Sequence, residues 1–353
     1  MRTTLSLIAL LLPAFAVQAQ YAAQAPSADD IAREQAQQQA WQAYTTRVAT
    51  ALGRSDAARD LAFAAILDEV ARQPAEPAMP SGDTPSRPVE PASASSQAAR
   101  WRQAATQKAG QDVLANQLLI ASRPSNDASA RTEAASRWKA LEPQNLAPLM
   151  FQGLGIDALL VAARNTTHSD LHMYDSVRWM QAALLRHPPT AAEQRALADD
   201  AAFHADEYSA LSAMGLWSAF VMPAYQTLTQ ACEGSALRAN ASRAADCRHV
   251  AQVLVAQPST ALEHSIGLGM QRSLATTAAE RAQADAGRRR LDWQMQQWGR
   301  VSGQAEREGA AQFARLLADP TIKREQQLVE RVLQEAAIVP DPPAGWRSPW
   351  QGR

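Results

Sequence analysis

The segment DDAAFHADEY, residues 199–208, gathers acidic side chains around a histidine. Asp200 lies four residues before His204, and Glu207 lies three residues after it. On a helix these spacings bring side chains onto one face, where a carboxylate could orient the imidazole for general acid–base catalysis. They are equally typical of ordinary helix-surface contacts, and acidic residues collect at helix starts. We favour the second interpretation and keep Asp200, His204 and Glu207 as the catalytic candidates of a hydrolase.

The segment HSDLH sets His168 and His172 four residues apart. If the segment were helical, both imidazoles would share one face and could approach one metal ion. Two ligands do not complete a zinc site, and the sequence lacks the catalytic H-E-x-x-H pattern. Thr167 and Asp170 match a T-x-x-D helix cap, which explains the segment without a metal. We therefore expect no structural metal, and His168 and His172 are the metal-ligand candidates.

The sequence lacks the short motifs of several common cofactor and nucleotide sites. It contains no G-x-S-x-G nucleophile elbow, no P-loop and no G-x-G-x-x-G fingerprint. Its formal net charge is −1, and the one basic run, residues 288–290, stands among acidic residues. We therefore expect no cofactor, and we find no electrostatic reason for the chain to bind nucleic acid.

The N-terminus has the parts of a secretory signal peptide. Arg2 precedes an apolar run from Leu5 to Phe15, and the small residue Ala19 stands before Gln20. This run is shorter than the ~20 residues that a membrane-spanning helix needs. No later run approaches that length without a charge. We therefore expect residues 1–19 to be removed, and the mature chain to be periplasmic or secreted with no transmembrane segment.

Cys232 and Cys247 are the two cysteines of the chain. Two lone cysteines pair in an oxidising compartment, whereas a redox or metal pair would more often have C-x-x-C spacing. An apolar helical pattern ends at Cys232, and another begins at Cys247 after a short polar loop. We therefore predict a structural disulfide that joins two antiparallel helices.

Helix-forming residues dominate the chain, and no run of alternating β-branched residues predicts a strand. The apolar patterns predict an N-terminal helical hairpin within residues 20–73 and a main helical domain over residues 98–338. One helix of this domain is expected to run from Trp101 through Leu118. The predicted fold class is all-α, with antiparallel helical hairpins stacked in a repeat-like array, one disulfide-clamped hairpin and no β-sheet.

Two segments interrupt or follow these helices. Residues 74–97 contain six prolines among small polar residues, and this composition favours an extended linker. The tail, residues 339–353, is also rich in proline and contains Trp346 and Trp350 outside any helical pattern. These two tryptophans either pack back onto the helical body or dock elsewhere, and because tryptophan often anchors protein partners they are the candidates for partner binding.

The stretch around residues 130–190 resembles tetratricopeptide-type repeats. Leu141, Pro143, Asn145 and Ala147 match the L-x-P-x-N-x-A run at the junction between such repeats. The layout of the chain also resembles uncharacterised secreted helical proteins of GC-rich proteobacteria. The tetratricopeptide resemblance implies stacked helical hairpins, which often bind proteins, and it assigns no functional residue.

Two classes of function fit these observations. The first is an exported, non-catalytic helical protein that binds or scaffolds protein partners of the cell envelope. The second is an envelope hydrolase that uses the region of Asp200, His204 and Glu207. A cleft that converges on His204 would favour the hydrolase, and a concave surface without clustered histidines and carboxylates would favour the scaffold.

The signal peptide leads to a prediction about processing. The exported protein should begin at Gln20 and carry no lipid, because no cysteine stands at the cleavage point. The intact mass of protein recovered from the cell envelope measures both properties. A mass that still includes residues 1–19 would contradict the prediction.

Overall fold

The computed structural model describes residues 27–72, 96–121, 128–197, 204–240, 242–304 and 306–350. Across these residues the protein consists of α-helices and one 3-10 helix, without a β-strand. The helices pack as pairs, and one disulfide joins two of them. The predicted all-α fold class is therefore confirmed. The predicted signal peptide, most of the predicted linker and Asp200 lie outside the described residues.

The helices have the following bounds in chain order: α1 Ala28–Leu52, α2 Ala58–Ala71, α3 Ser96–Ala109, α4 Val113–Ile120, α5 Ala128–Leu141, α6 Ile156–Ala163, α7 Met173–Leu185, α8 Ala191–Leu197, α9 Ala205–Val221, α10 Gln226–Ala231, α11 Gly234–Ala239, α12 Arg243–Ala256, α13 Ala261–Leu274, α14 Ala278–Gln304, α15 Glu306–Leu317 and α16 Glu325–Glu335. The 3-10 helix, Ala147–Phe151, lies between α5 and α6. None of the described helices combines the length and the apolar character that crossing a membrane requires.

The first helical hairpin shares its core with the rest of the protein. Helix α1 begins at the cap residue Ser27, whose hydroxyl accepts the backbone N–H of Asp30. Further along α1, Tyr44 is buried and its hydroxyl donates to the carbonyl of Leu184 in α7, 3.4 Å away. Phe63 of α2 packs edge-on against Trp179, also in α7, at 5.7 Å between ring centroids. The hairpin is therefore packed onto the main helical body.

The turn between α1 and α2 lies directly against α3. A Cβ atom built on Gly53 would overlap the indole ring of Trp101, which is 8% exposed. Glycine is therefore required at this position by the close approach of the two elements, although its backbone dihedral angles would suit any residue.

The helix predicted from Trp101 through Leu118 is interrupted, and that prediction is wrong. Helix α3 ends at Ala109, where Gly110 takes a left-handed conformation with φ of +46°. Asp112 then caps α4, because its carboxylate accepts the backbone N–H of Ala115 at 3.1 Å. The break turns the chain and brings Gln111 and Asp112 to the surface cleft described below.

Within the described residues the apolar core forms two clusters. The larger is formed mainly by α1 to α5, α7, α9 and the segment from α15 to α16. The smaller surrounds the disulfide and is formed by α6, α10, α12, α13 and the 3-10 helix. A fully buried carboxylate, that of Glu263 in α13, lies next to Tyr225 of the smaller cluster. It accepts hydrogen bonds from Ser169 Oγ at 2.6 Å, Tyr225 Oη at 2.7 Å and the Ser259 backbone N–H at 2.8 Å.

The predicted disulfide is present between Cys232 and Cys247. Its Cα atoms are 5.6 Å apart and both side chains are buried, which fits the geometry that a disulfide needs. The connecting segment contains the short helix α11 as well as turns, and Cys247 lies within α12. The bridge therefore joins the end of α10 to α12 inside the smaller core cluster.

Removing this bridge should destabilise the protein without unfolding its helices. The closed loop spans 15 residues, and replacing both cysteines by alanine should lower the free energy of unfolding by about 3 kcal/mol, since the unfolded chain gains freedom. Denaturant unfolding measures this change, and far-UV circular dichroism in buffer should remain as in the unmodified protein. Unfolding of the unmodified protein under reducing conditions is the control, and it should show the same loss.

Candidate functional site

The sequence candidates around His204 lie at the start of a helix. His204 is the cap residue of α9, and its backbone N–H donates to Glu207 Oε2 at 2.9 Å. Glu207 is 5% exposed, so its carboxylate serves to close the first turn of α9. Asp200 lies outside the described residues, and neither His204 nor Glu207 lines the cleft described below.

The segment with His168 and His172 is not helical. The two imidazoles therefore do not share a helix face, and the expected T-x-x-D cap is wrong. His168 forms a parallel backbone bridge with Asn145. Thr167 donates a backbone hydrogen bond to the Gln144 carbonyl instead of capping a helix. The described residues contain no group of three or more His, Cys, Asp and Glu side chains placed to hold a metal ion.

The structure instead pairs His172 with Glu142. The imidazole Nε2 lies 2.9 Å from Glu142 Oε1 and 3.0 Å from Oε2. Because a carboxylate only accepts hydrogen bonds, Nε2 carries the proton. The other ring nitrogen, Nδ1, lies 3.9 Å from Asp170 Oδ2. His172 is therefore held between two carboxylates.

Three donors hold the Glu142 carboxylate in place. Besides His172, Trp138 Nε1 donates to Oε2 at 2.7 Å and Asn145 Nδ2 donates to the same oxygen at 2.8 Å. Burial alone would raise the pKa of Glu142, but these hydrogen bonds outweigh it and lower the pKa to about 2. Glu142 is therefore ionised throughout the neutral range.

His172 takes an unusual backbone conformation. It caps α7 with φ of 46° and ψ of 36°, in the left-handed region that non-glycine residues rarely adopt. Burial alone would lower the pKa of its imidazole, but the hydrogen bond to Glu142 and the charges of Asp170, Glu142 and Asp175 outweigh it and raise the pKa. The contacts around His172 therefore offset both the strain of its backbone and the cost of burying its charged imidazole.

The pair faces a cleft of about 570 Å³ that is open to solvent. Helix α2, the turn and start of α4, the end of α5 and helix α7 supply its walls. The lining residues carry charges of both signs together with apolar side chains: Arg59, Gln111, Asp112, Val113, Leu114, Glu142, His172, Asp175, Arg178 and Trp179.

The charged groups of the cleft are largely neutralised by their neighbours. Arg59 Nε donates to Asp112 Oδ2 at 2.6 Å. On the other wall, Asp175 Oδ1 accepts from Arg178 Nη1 at 2.9 Å and from Lys323 Nζ at 2.7 Å. The remaining nitrogens of Arg178 donate to the carbonyls of Leu317, Asp319 and Ile322, so this guanidinium fixes the chain after α15.

These features determine which contacts the cleft offers to a bound molecule. The ionisable lining residues are three carboxylates, two arginines and one histidine. The hydrogen bond to Glu142 engages Nε2 of His172, so Nδ1 is the ring nitrogen left to interact with a ligand. The cleft therefore offers hydrogen bonds, charges of both signs and an aromatic wall to a ligand.

The sequence held a partial signal of this site. Glu142 and Asn145 fall inside the L-x-P-x-N-x-A stretch, and His172 lies in the HSDLH segment. His172 and Glu142, which are hydrogen-bonded, are thirty residues apart in the sequence. The sequence does not reveal that Asn145 joins the two segments. Its side-chain amide hydrogen-bonds to both the carbonyl and the N–H of Asp170, 25 residues away.

The tail tryptophans do not line the cleft. Trp346 packs edge-on against Trp293 of α14, with 5.4 Å between ring centroids. Trp293 Nε1 donates to the Val339 carbonyl at 2.9 Å, so the tail follows α14. Trp350 is half-buried beside the buried Ser348, whose hydroxyl accepts its backbone N–H.

Comparisons of the chain with protein-family models, with curated proteins and with solved structures found no match. The fold therefore defines the class of the protein: its described residues form an all-α protein of packed helix pairs with one disulfide.

The Glu142–His172 pair should give the protein a characteristic pH dependence. Glu142 has a lowered pKa, so its contribution to stability is present above its ordinary value of 4.5 and is lost as pH falls toward 2. His172 has a raised pKa, so its contribution is present below its ordinary value of 6.5 and is lost as pH rises through the raised value. The pair therefore stabilises the fold most between about pH 4.5 and 6.5.

Glu142→Gln should lower the free energy of unfolding by about 2 kcal/mol in that window, and by less on either side of it. Denaturant unfolding across the pH range measures the difference. The control is Glu330→Gln, which removes an exposed carboxylate from α16 and should change stability by at most about 0.5 kcal/mol. Equal effects of the two variants at every pH would refute the assigned role of Glu142.

Proposed function

We propose that the protein is an exported, non-catalytic α-helical protein that binds partner proteins of the cell envelope, with the cleft at His172 as its recognition site. The observation that carries this proposal is the composition of the cleft. It combines charges of both signs, an exposed amide at Gln111 and apolar side chains in one open depression. An extended peptide presents the same mixture, because its backbone alternates donors and acceptors between side chains.

Two further observations support the proposal. The buried disulfide fits an oxidising compartment such as the periplasm or the exterior of the cell, because such bonds are rare in the cytosol. The protein is built of packed helix pairs, and arrays of such pairs often bind proteins. The geometry favours binding over the hydrolase built on Asp200, His204 and Glu207, because the cleft converges on His172 and Glu142.

Photo-crosslinking in cells tests this function. A photoreactive amino acid at Gln111, which is exposed on the cleft, should give a discrete adduct with an envelope protein that mass spectrometry identifies. Its matched control is the same amino acid at Gln283, exposed on α14, a helix with no residue in the cleft lining. An excess of the protein without the photoreactive group should compete the Gln111 adduct away.

Adducts of equal yield from both positions, or from neither, would argue against recognition at the cleft. Release of a cleaved product from the crosslinked partner would argue for the enzymatic alternative. Export of the protein is checked in the same cells, because the adduct should be recovered from the envelope fraction.

A further inference from the structure

The two arginines of the cleft differ in how many of their donors are used. Arg178 donates through Nε and both Nη groups to neighbouring groups. Arg59 donates only through Nε, to Asp112 Oδ2 at 2.6 Å, and its side chain is 35% exposed. Neither Nη group of Arg59 has an acceptor within the described part of the chain. The outer edge of this guanidinium is therefore open to the cleft.

We propose that Arg59 recognises an aspartate or glutamate side chain on an extended segment of the partner protein. This inference rests on the proposed partner-binding function and names the chemistry of the partner. The two free Nη groups form the planar edge that matches a carboxylate with two parallel hydrogen bonds. Asp112 stays on the Nε edge and holds the guanidinium in one orientation, so less conformational entropy is lost on binding.

The other lining groups indicate a polypeptide segment with a single negative charge. Asp112, Glu142 and Asp175 also face this space, so a doubly charged phosphate would be repelled more strongly than a carboxylate. Asp175 Oδ2 accepts no hydrogen bond from the described residues, and it can take a backbone N–H of the segment. The amide of Gln111 is likewise exposed, and it can bind a second backbone group.

The apolar part of the cleft gives the segment a surface for packing. Val113, Leu114 and Trp179 are half-buried, and the Trp179 ring is fixed by Phe63 on one side and by the Arg186 guanidinium 6.0 Å from its centroid. An apolar side chain next to the acidic residue would cover this wall. The partner segment should therefore combine an acidic residue with a neighbouring apolar one.

An array of short synthetic peptides of random sequence, probed with the purified full chain, tests the inference. Bound peptides should be enriched in Asp or Glu next to an apolar residue. In solution, fluorescence anisotropy should show about tenfold weaker binding when the acidic residue of a bound peptide is replaced by its amide, Asn or Gln. Arg59→Gln should cause the same loss, and Arg59→Lys an intermediate one, because lysine keeps the charge without the planar edge.

Arg195→Gln is the matched control. Arg195 is an exposed arginine of α8 whose Nε also donates to a single acceptor, the Ala191 carbonyl at 3.1 Å, and it does not line the cleft. It should bind the peptides as the unmodified protein does. All variants are first checked for an unchanged melting temperature, and Arg59→Lys should retain the ion pair with Asp112.

The outcomes separate this inference from the function it rests on. Peptide binding without acidic enrichment, or binding unaffected by Arg59→Gln, would overturn the role of Arg59 and leave the partner-binding function standing. Full displacement of a bound peptide by free N-acetylaspartate at equal concentration would overturn the polypeptide source and identify a small carboxylate as the ligand. No binding to any peptide, together with no crosslinked adduct at Gln111, would overturn both.

Discussion

The side chain of Asn145 makes the contact on which the candidate site depends. It is fully buried and uses the whole hydrogen-bonding capacity of an amide, with Nδ2 donating to Glu142 Oε2 and the Asp170 carbonyl, and Oδ1 accepting from the backbone N–H groups of Ala147 and Asp170. One residue thus ties the chain after α5 to the chain before α7. Loss of the Asn145 side chain would leave several buried polar groups without hydrogen-bond partners. Because that is costly, the network holds these two segments in a single arrangement.

The chain before α7 is fixed from its other side as well. Ser169 Oγ donates to the buried Glu263, and the Leu171 N–H donates to Ser259 Oγ at 2.6 Å. Burial raises the pKa of Glu263 even though its hydrogen bonds oppose the change, so this junction carries an energetic cost that its contacts offset. With both flanks held, His172 can keep a left-handed backbone that would relax in a free loop. The backbone strain at the cleft is thus supported by the contacts that Ser259 and Glu263 make with the chain before α7.

Much of the fold could be predicted from local patterns, whereas the sequence indicated some residues of the site but not the contacts between them. The helix start at Ser27 and the pairing of Cys232 with Cys247 follow from residue type, because capping acts over a short distance and the chain offers each cysteine a single partner. The contact between Glu142 and His172 depends on a buried amide between two irregular segments, which has no periodicity to reveal it. Spacing rules also misled at His168 and His172, since an i, i+4 interval has meaning only on a helix.

The overlap that any Cβ at position 53 would make with the Trp101 ring couples the two positions. In a chain descended from the same ancestor, a larger residue at position 53 could be tolerated only where position 101 had become small, so the two sites should vary together. Paired variation of this kind persists after overall similarity has faded, because it follows from volume and not from identity. In an alignment of related sequences, paired variation at positions 53 and 101 would therefore help to recognise and align distant members of this fold.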